Sequence, residues 1–187
     1  AVRGGTYTVT TTADTGPGSL RQAITAANND PGPNLISFQI SGSGPFSIAL
    51  TSALPGVTNT TTLDATTQPG FNGTPVVELN GAGTPTGTAG LQLMGSFNVV
   101  RGLAIHRFTQ YGLVLLGSSN VVQGNFIGTD VTGTQARGNT SFAIWVRSAG
   151  NLIGGTAATN RNVLSGNDTG IYFTAANGQA SNGVDQY

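Results

Sequence analysis

The sequence predicts an all-β fold, a parallel β-helix or solenoid that opens with an N-terminal strand and one capping α-helix. Two observations predict it. First, Gly90 to Ile105 lies over Gly112 to Ile127 without a gap at an offset of 22 residues, with ten of sixteen positions identical. Self-similarity at this period, with short strands and no helix inside the repeat, marks a coil of stacked β turns. Second, from Phe46 onward short apolar runs alternate with Gly-, Asn- and Thr-rich turns. Only 7% of the 187 residues are charged, against about 25% in an ordinary soluble domain. Gly, Thr, Asn and Ser make up about 45% of the chain. The surface is therefore polar and nearly uncharged.

The elements follow in order. Residues 5 to 13 are β-branched and partly alternating, which predicts a strand with one wet face. Asp14 to Gly18 carry turn chemistry, and Ser19 is placed to cap a helix whose apolar residues Leu20, Ala23, Ile24 and Ala27 keep helical spacing. Asn28 to Pro33 stop it. Leu35 to Ile40 read as the next strand. We divide the chain into residues 1–45 (strand, capping helix and first strand) and residues 46–187 (the coils).

A third copy of the repeat, Ala143 to Gly154, brings Asn151 into register with Asn120 after an insertion, and Gly170 to Asn177 starts a fourth. One turn cannot bury its own apolar residues, but turns stacked about 4.8 Å apart build a continuous core and pair the backbone along the axis. This predicts inward ladders of Leu91/Leu113/Ile144/Ile171 and of Val99/Val121/Leu152, and corner glycines at Gly102, Gly124 and Gly154. Asn98, Asn120 and Asn151 are expected to form a structural ladder, because buried turn amides must be satisfied and stacking satisfies them.

Composition excludes several function classes. Seven acids balance seven bases, so no basic surface is offered to nucleic acid or to an anionic membrane. No apolar run approaches the roughly 20 residues of a membrane span. All the bases are arginine, which removes Schiff-base and Walker-type lysine chemistry. Without cysteine there is no disulfide, thiol nucleophile or zinc–thiolate site. The chain begins at Ala1, which reads as a mature product after signal removal and gives an expected extracellular or cell-surface, secreted location.

With these residues in hand, the sequence resembles bacterial secreted and cell-surface proteins of the right-handed parallel β-helix class. It is similar to the subgroup with a GSLRqAI segment, here Gly18 to Ile24, followed by Ala27-Asn28 and Ile36 to Phe38. Leu63 to Gly70, Gly124 to Asp130, Ile153 to Thr156 and Arg161 to Asn167 also look like recurring phrases of that group. The resemblance covers nearly the whole chain. It implies a right-handed coil, but not one activity, since such coils carry lyases, hydrolases, adhesins and plain stalks. Family members are commonly longer.

A search for chemistry finds no catalytic cluster. Glycosidases use paired carboxylates, and the only two acids here expected to meet across a turn are Asp64 and Glu78. Their alternative reading is turn capping by Asp64 and rim exposure of Glu78. Asp130, in the oxygen-rich Gly128 to Gly133 segment, is a weak calcium candidate, with an Asx-turn as the default. Arg137 or Arg161 is expected to pair with Asp130 or Asp168. His106, the sole histidine, lacks a visible nucleophile or orienting partner and is assigned to surface or core. Trp145, Tyr111, Phe142 and Tyr172 would form a sugar-stacking strip if they faced outward. No cofactor is expected.

Attention therefore moves to the coil's ends, where unpaired strand groups invite another chain. Ser19 to Ala27 reads as the N-terminal cap, whereas Asn177 to Tyr187 has neither the helix nor the run of charges that would seal the other end. The leading expectation is a non-enzymatic structural protein whose copies associate end to end, as a filament or surface fibre. Tyr7, Thr8, Val9, Thr10, Val184 and Tyr187 are its interface residues, and Thr8 to Thr12 would add to a neighbour's sheet. The alternatives are a carbohydrate-binding or carbohydrate-cleaving coil, with polysaccharide as partner, and a spacer module.

Overall fold

The computed structural model describes residues 4–174 and the strand at 183–185. The chain begins with β1 (Thr6–Val9), α1 (Leu20–Asn28), β2 (Asn34–Phe38), β3 (Phe46–Ala49), β4 (Thr61–Asp64) and β5 (Val77–Asn80). It continues through β6 (Leu91–Leu93), β7 (Val99–Arg101), β8 (Leu103–His106), β9 (Leu113–Leu115), β10 (Val121–Gln123) and β11 (Phe126–Ile127). The last strands are β12 (Phe142–Val146), β13 (Leu152–Gly154), β14 (Val163–Leu164), β15 (Thr169–Phe173) and β16 (Gly183–Asp185).

These strands form three sheets, and none closes on itself. The first runs β1-β2-β4-β7-β10-β13-β16, the second β14-β11-β8-β5-β3 and the third β15-β12-β9-β6. Every pairing between named strands is parallel. The protein is thus mostly parallel β-sheet with a single α-helix among the described residues.

The helix forms where the sequence places it. Ser19 is its N-cap and accepts from the Gln22 N–H at 3.2 Å, and Leu20, Ala23, Ile24 and Ala27 are its buried face. It packs on β1 and β2, which covers the core at that end. The first strand is shorter than residues 5–13, because the Thr10 N–H is taken by the Gly18 carbonyl of the returning turn.

The core is a set of ladders in register. Ile36, Leu63, Val100, Val122 and Ile153 stack in the first sheet, Ile48, Leu79, Ile105 and Ile127 in the second, and Leu91, Leu113 and Ile144 in the third. All of these are buried. The expected inward ladder Val99/Val121/Leu152 is corrected by one residue: these three are half-buried on the other face, and their neighbours Val100, Val122 and Ile153 fill the core. Strand faces alternate with period two, so the buried Asn98, Asn120 and Asn151 force the next residue out and the one after it in. Val122→Ala is therefore expected to cost about 2 kcal/mol and Val121→Ala less than about 1 kcal/mol. Urea unfolding of both variants checks the register, and equal losses would reverse it.

Corners need special backbone. Gly102, Gly124 and Gly154 have φ of 78°, 63° and 96°. A Cβ on Gly102 would also stand 2.9 Å from the Thr66 backbone nitrogen, so both conformation and space select glycine there. No helix among the described residues is long and apolar enough to cross a membrane.

Candidate functional site

The asparagines stack as a hydrogen-bonded column. The Thr61 N–H donates to Asn98 Oδ1 (2.8 Å), the Asn98 N–H to Asn120 Oδ1 (2.8 Å) and the Asn120 N–H to Asn151 Oδ1 (2.9 Å). Each side-chain oxygen thus satisfies a backbone donor one rung away, where the turn interrupts the sheet ladder. Two further columns escaped the sequence reading. Asn125 Oδ1 accepts from the Leu103 N–H, and Asn162 Oδ1 from the Asn125 N–H. Asn139 Oδ1 accepts from the Phe108 N–H, and Asn167 Oδ1 from the Asn139 N–H. The asparagines are structural at all three places.

Asp64 and Glu78 do not meet. Asp64 ends β4 in the first sheet, where it caps a short 3-10 turn through the Thr66 N–H (3.1 Å) and hydroxyl (2.6 Å) and binds Arg101 Nη2 at 2.6 Å. Burial pushes its carboxyl up, but the hydrogen bonds from Arg101 and Thr66 outweigh this and hold it below the usual carboxylate range. Glu78 lies in β5 of the second sheet. It is buried rather than on a rim, because a segment from Gly128 to Arg137 folds back over that sheet.

This segment is a small hairpin, with the Arg137 N–H on the Gly128 carbonyl (2.8 Å) and a bridge between Thr129 and Ala136. Its Gly133 sits against the Phe126 ring, and its Arg137 carbonyl accepts from the Arg107 N–H at the end of β8. Beneath it, Glu78 Oε2 is 3.2 Å from His106 Nε2 and 3.7 Å from Arg137 Nη1. His106 is fully buried, and neither ring nitrogen has a directed hydrogen bond. The Glu78 contact is at ion-pair distance but off the N–H axis.

The His106 contact is the largest influence holding the Glu78 carboxyl below the usual range, and burial opposes it. The Ser47 hydroxyl and the charges of His106 and Arg137 add to the lowering. Ser47 lies opposite Glu78 on β3, and His106 lies on β8, on the other side of β5. Two adjacent rungs bring Glu78 and His106 together, since β5 pairs with β8. The sequence signal was weak because β5 lies outside the clear repeat.

Arg137 thus makes its ion pair with Glu78 rather than with Asp130. Asp130 Oδ1 accepts from the Thr132 hydroxyl (2.7 Å) and the Gln135 N–H (3.3 Å) within the hairpin, the local side-chain-to-backbone bonding of a turn. Among the described residues no group of three or more His, Cys, Asp or Glu side chains gathers. Asp168 is exposed.

The aromatic residues face outward on the third sheet and stack along it. Tyr111 lies 5.2 Å from Phe142, and Phe142 lies 4.4 Å from Tyr172, both stacked, and Tyr111 is 4.8 Å from Trp145. Arg147 covers Trp145 at 4.7 Å. Because the spacing matches the rung spacing, the rings occupy one another's faces.

Of the expected interface residues, Val9 is fully buried against the core and is removed from that role. Tyr7 is half-buried, and its hydroxyl donates to Asp30 at 3.0 Å. Thr8 and Thr10 are exposed. Val184 lies in β16, and Tyr187 lies outside the described residues. A scan against protein-family models matches none, and a search of curated proteins returns no match.

Proposed function

We propose that the chain is a right-handed parallel β-helix with a structural, non-enzymatic role outside the cell, and that its copies associate end to end into a filament. One observation carries the reading. In the third sheet Leu93, Leu115 and Val146 are 0%, 0% and 1% exposed, whereas Phe173, at the matching position of the edge strand β15, is 46% exposed. Ile171 is likewise only half-buried, at the end of a ladder whose other members are buried. The core is uncovered where β15 has no further strand among the described residues. An apolar face of this kind, flanked by unpaired strand edges, favours association. The zero formal net charge supplies no repulsion against it. The resemblance to secreted coils and the scarcity of charge support the location.

Size-exclusion chromatography and negative-stain microscopy of the full chain test the proposal. Elongated particles that lengthen with concentration are expected. A strict monomer at high concentration would reject it.

The outward pairing of Tyr111 with Trp145 favours a second reading, a polysaccharide-binding surface on the third sheet. Mutual stacking leaves few open ring faces, so this reading stands behind the first. Cleavage is not part of it, since Asp64 and Glu78 belong to different sheets and each is already bound. Binding on a glycan array that disappears in Trp145→Ala would bring it forward.

A further inference from the structure

We propose that the groove between the outer edge of β1 and helix α1 receives a β-strand from a second copy, namely the backbone edge of that copy's β16. This rests on the self-association reading and names the surface that accepts the partner.

The argument begins with the direction of backbone groups. The Leu35 N–H donates to the Gly5 carbonyl (2.9 Å) and the Gln39 N–H to the Val9 carbonyl (2.8 Å), so the odd-numbered residues of β1 turn their polar groups toward β2. By the alternation of a strand, the even-numbered residues turn theirs away. Thr10 follows that rule, since its N–H reaches outward to the Gly18 carbonyl at 2.9 Å. Thr6 and Thr8 are left, both exposed, with N–H and C=O groups aimed away from the sheet. A groove of about 340 Å³ runs beside them. Its far wall is Gly18, Gln22, Ala23 and Ala26 of the turn and helix. These are mostly small side chains, and Gln22 Oε1 already accepts from the Gly18 N–H at 2.8 Å. A backbone can approach.

The occupant follows from the sheet. The first sheet is parallel from β1 to β16, and among the described residues neither outer edge has a strand beside it. β16 is in register with β13, with Ile153 opposite Val184. A second copy translated along the sheet would lay its β16 beside β1 in the parallel sense that every other rung uses. The contact joins two different surfaces and does not close, which gives a growing chain of copies rather than a dimer. Helix α1 covers the core at this end, so the strand edge, not the apolar interior, is the accepting surface.

Proline at position 8 is the direct test, because it removes a donor that points away from β2 and leaves the β1–β2 ladder whole. Thr8→Val is the companion variant: it removes the hydroxyl that contacts Ser37 at 3.1 Å and keeps the N–H. Sedimentation velocity across a concentration series is expected to show wild-type and Thr8→Val chains growing beyond dimers. Thr8→Pro is expected to associate at least about tenfold more weakly, with an unchanged thermal midpoint. Should Thr8→Pro fold poorly, Ala26→Arg fills the groove from the helix and is expected to weaken growth similarly. Assembly of Thr8→Pro or Ala26→Arg equal to wild type overturns the groove while leaving self-association standing. Growth that stops at a dimer overturns the β16-to-β1 pairing, and a monomeric wild type overturns the self-association reading itself.

Discussion

Asn120→Ala is expected to lower the unfolding free energy by about 3 kcal/mol, the loss of at least two buried hydrogen bonds at about 1–3 kcal/mol for each group left unpaired. The substitution removes few apolar contacts, so a hydrophobic account predicts little. The hydrogen-bond account predicts much more. Asn120 Oδ1 accepts from both the Asn98 N–H (2.8 Å) and Asn98 Nδ2 (3.0 Å), and Asn120 Nδ2 donates to the Gly117 carbonyl. Asn98 and Asn120 are fully buried, so water cannot replace these partners without entering the core. Asn120→Asp should not rescue the fold, since it keeps an acceptor but buries a charge and loses the donor to Gly117. Val121→Ala, one residue away on the half-buried face, is the control. Urea unfolding of the three variants decides the matter, and a loss below about 1 kcal/mol for Asn120→Ala would show the column to be dispensable.

The same column explains what could be read from the sequence. The gapless 22-residue offset puts Asn98 under Asn120 and Leu91 under Leu113; the leucines are in register in the third sheet, and the asparagines bond to each other just before β7 and β10. Helix α1 was legible because a cap residue and an apolar stripe at helical spacing are local signals. The inward face of β7, β10 and β13 was misassigned although the information was present: burying Asn98 and Val99 together contradicts the period of a strand.

The other two asparagine columns were hidden by loop length. Asn125 and Asn162 lie 37 residues apart, and Asn139 and Asn167 lie 28 apart, so no fixed offset aligns them. Turn insertions change the sequence distance between rungs without changing the distance in space. The meeting of Glu78, His106 and Arg137 was hidden for the same reason, since each comes from a different strand or insertion, and only the fold of the hairpin over the second sheet brings them together.

That cluster carries the second large effect. Glu78→Gln is expected to destabilise the protein by about 2–3 kcal/mol at neutral pH, somewhat below the 3–5 kcal/mol of a fully buried broken pair because Arg137 is partly exposed. The variant keeps the shape and packing of the side chain, so the loss reports the charge. Its pH dependence fixes the sign. A carboxyl whose folded pKa is depressed contributes stability above its unfolded pKa, and that contribution disappears as pH falls through the folded value. Glu78 and Asp64 are both depressed, so the wild type should hold its stability down to the usual carboxylate range near pH 4 and lose it below.

At low pH the wild-type side chain is itself protonated and resembles glutamine. The penalty for Glu78→Gln should then shrink as pH falls from 7 through the usual carboxylate range and vanish only below the depressed folded value. Urea melts of both chains across a pH series descending from 7 measure it. A penalty that stays constant with pH would mean that the contacts of Glu78 with His106 and Arg137 are packing alone, and that the hairpin over the second sheet is held by its backbone rather than by the Glu78 carboxylate.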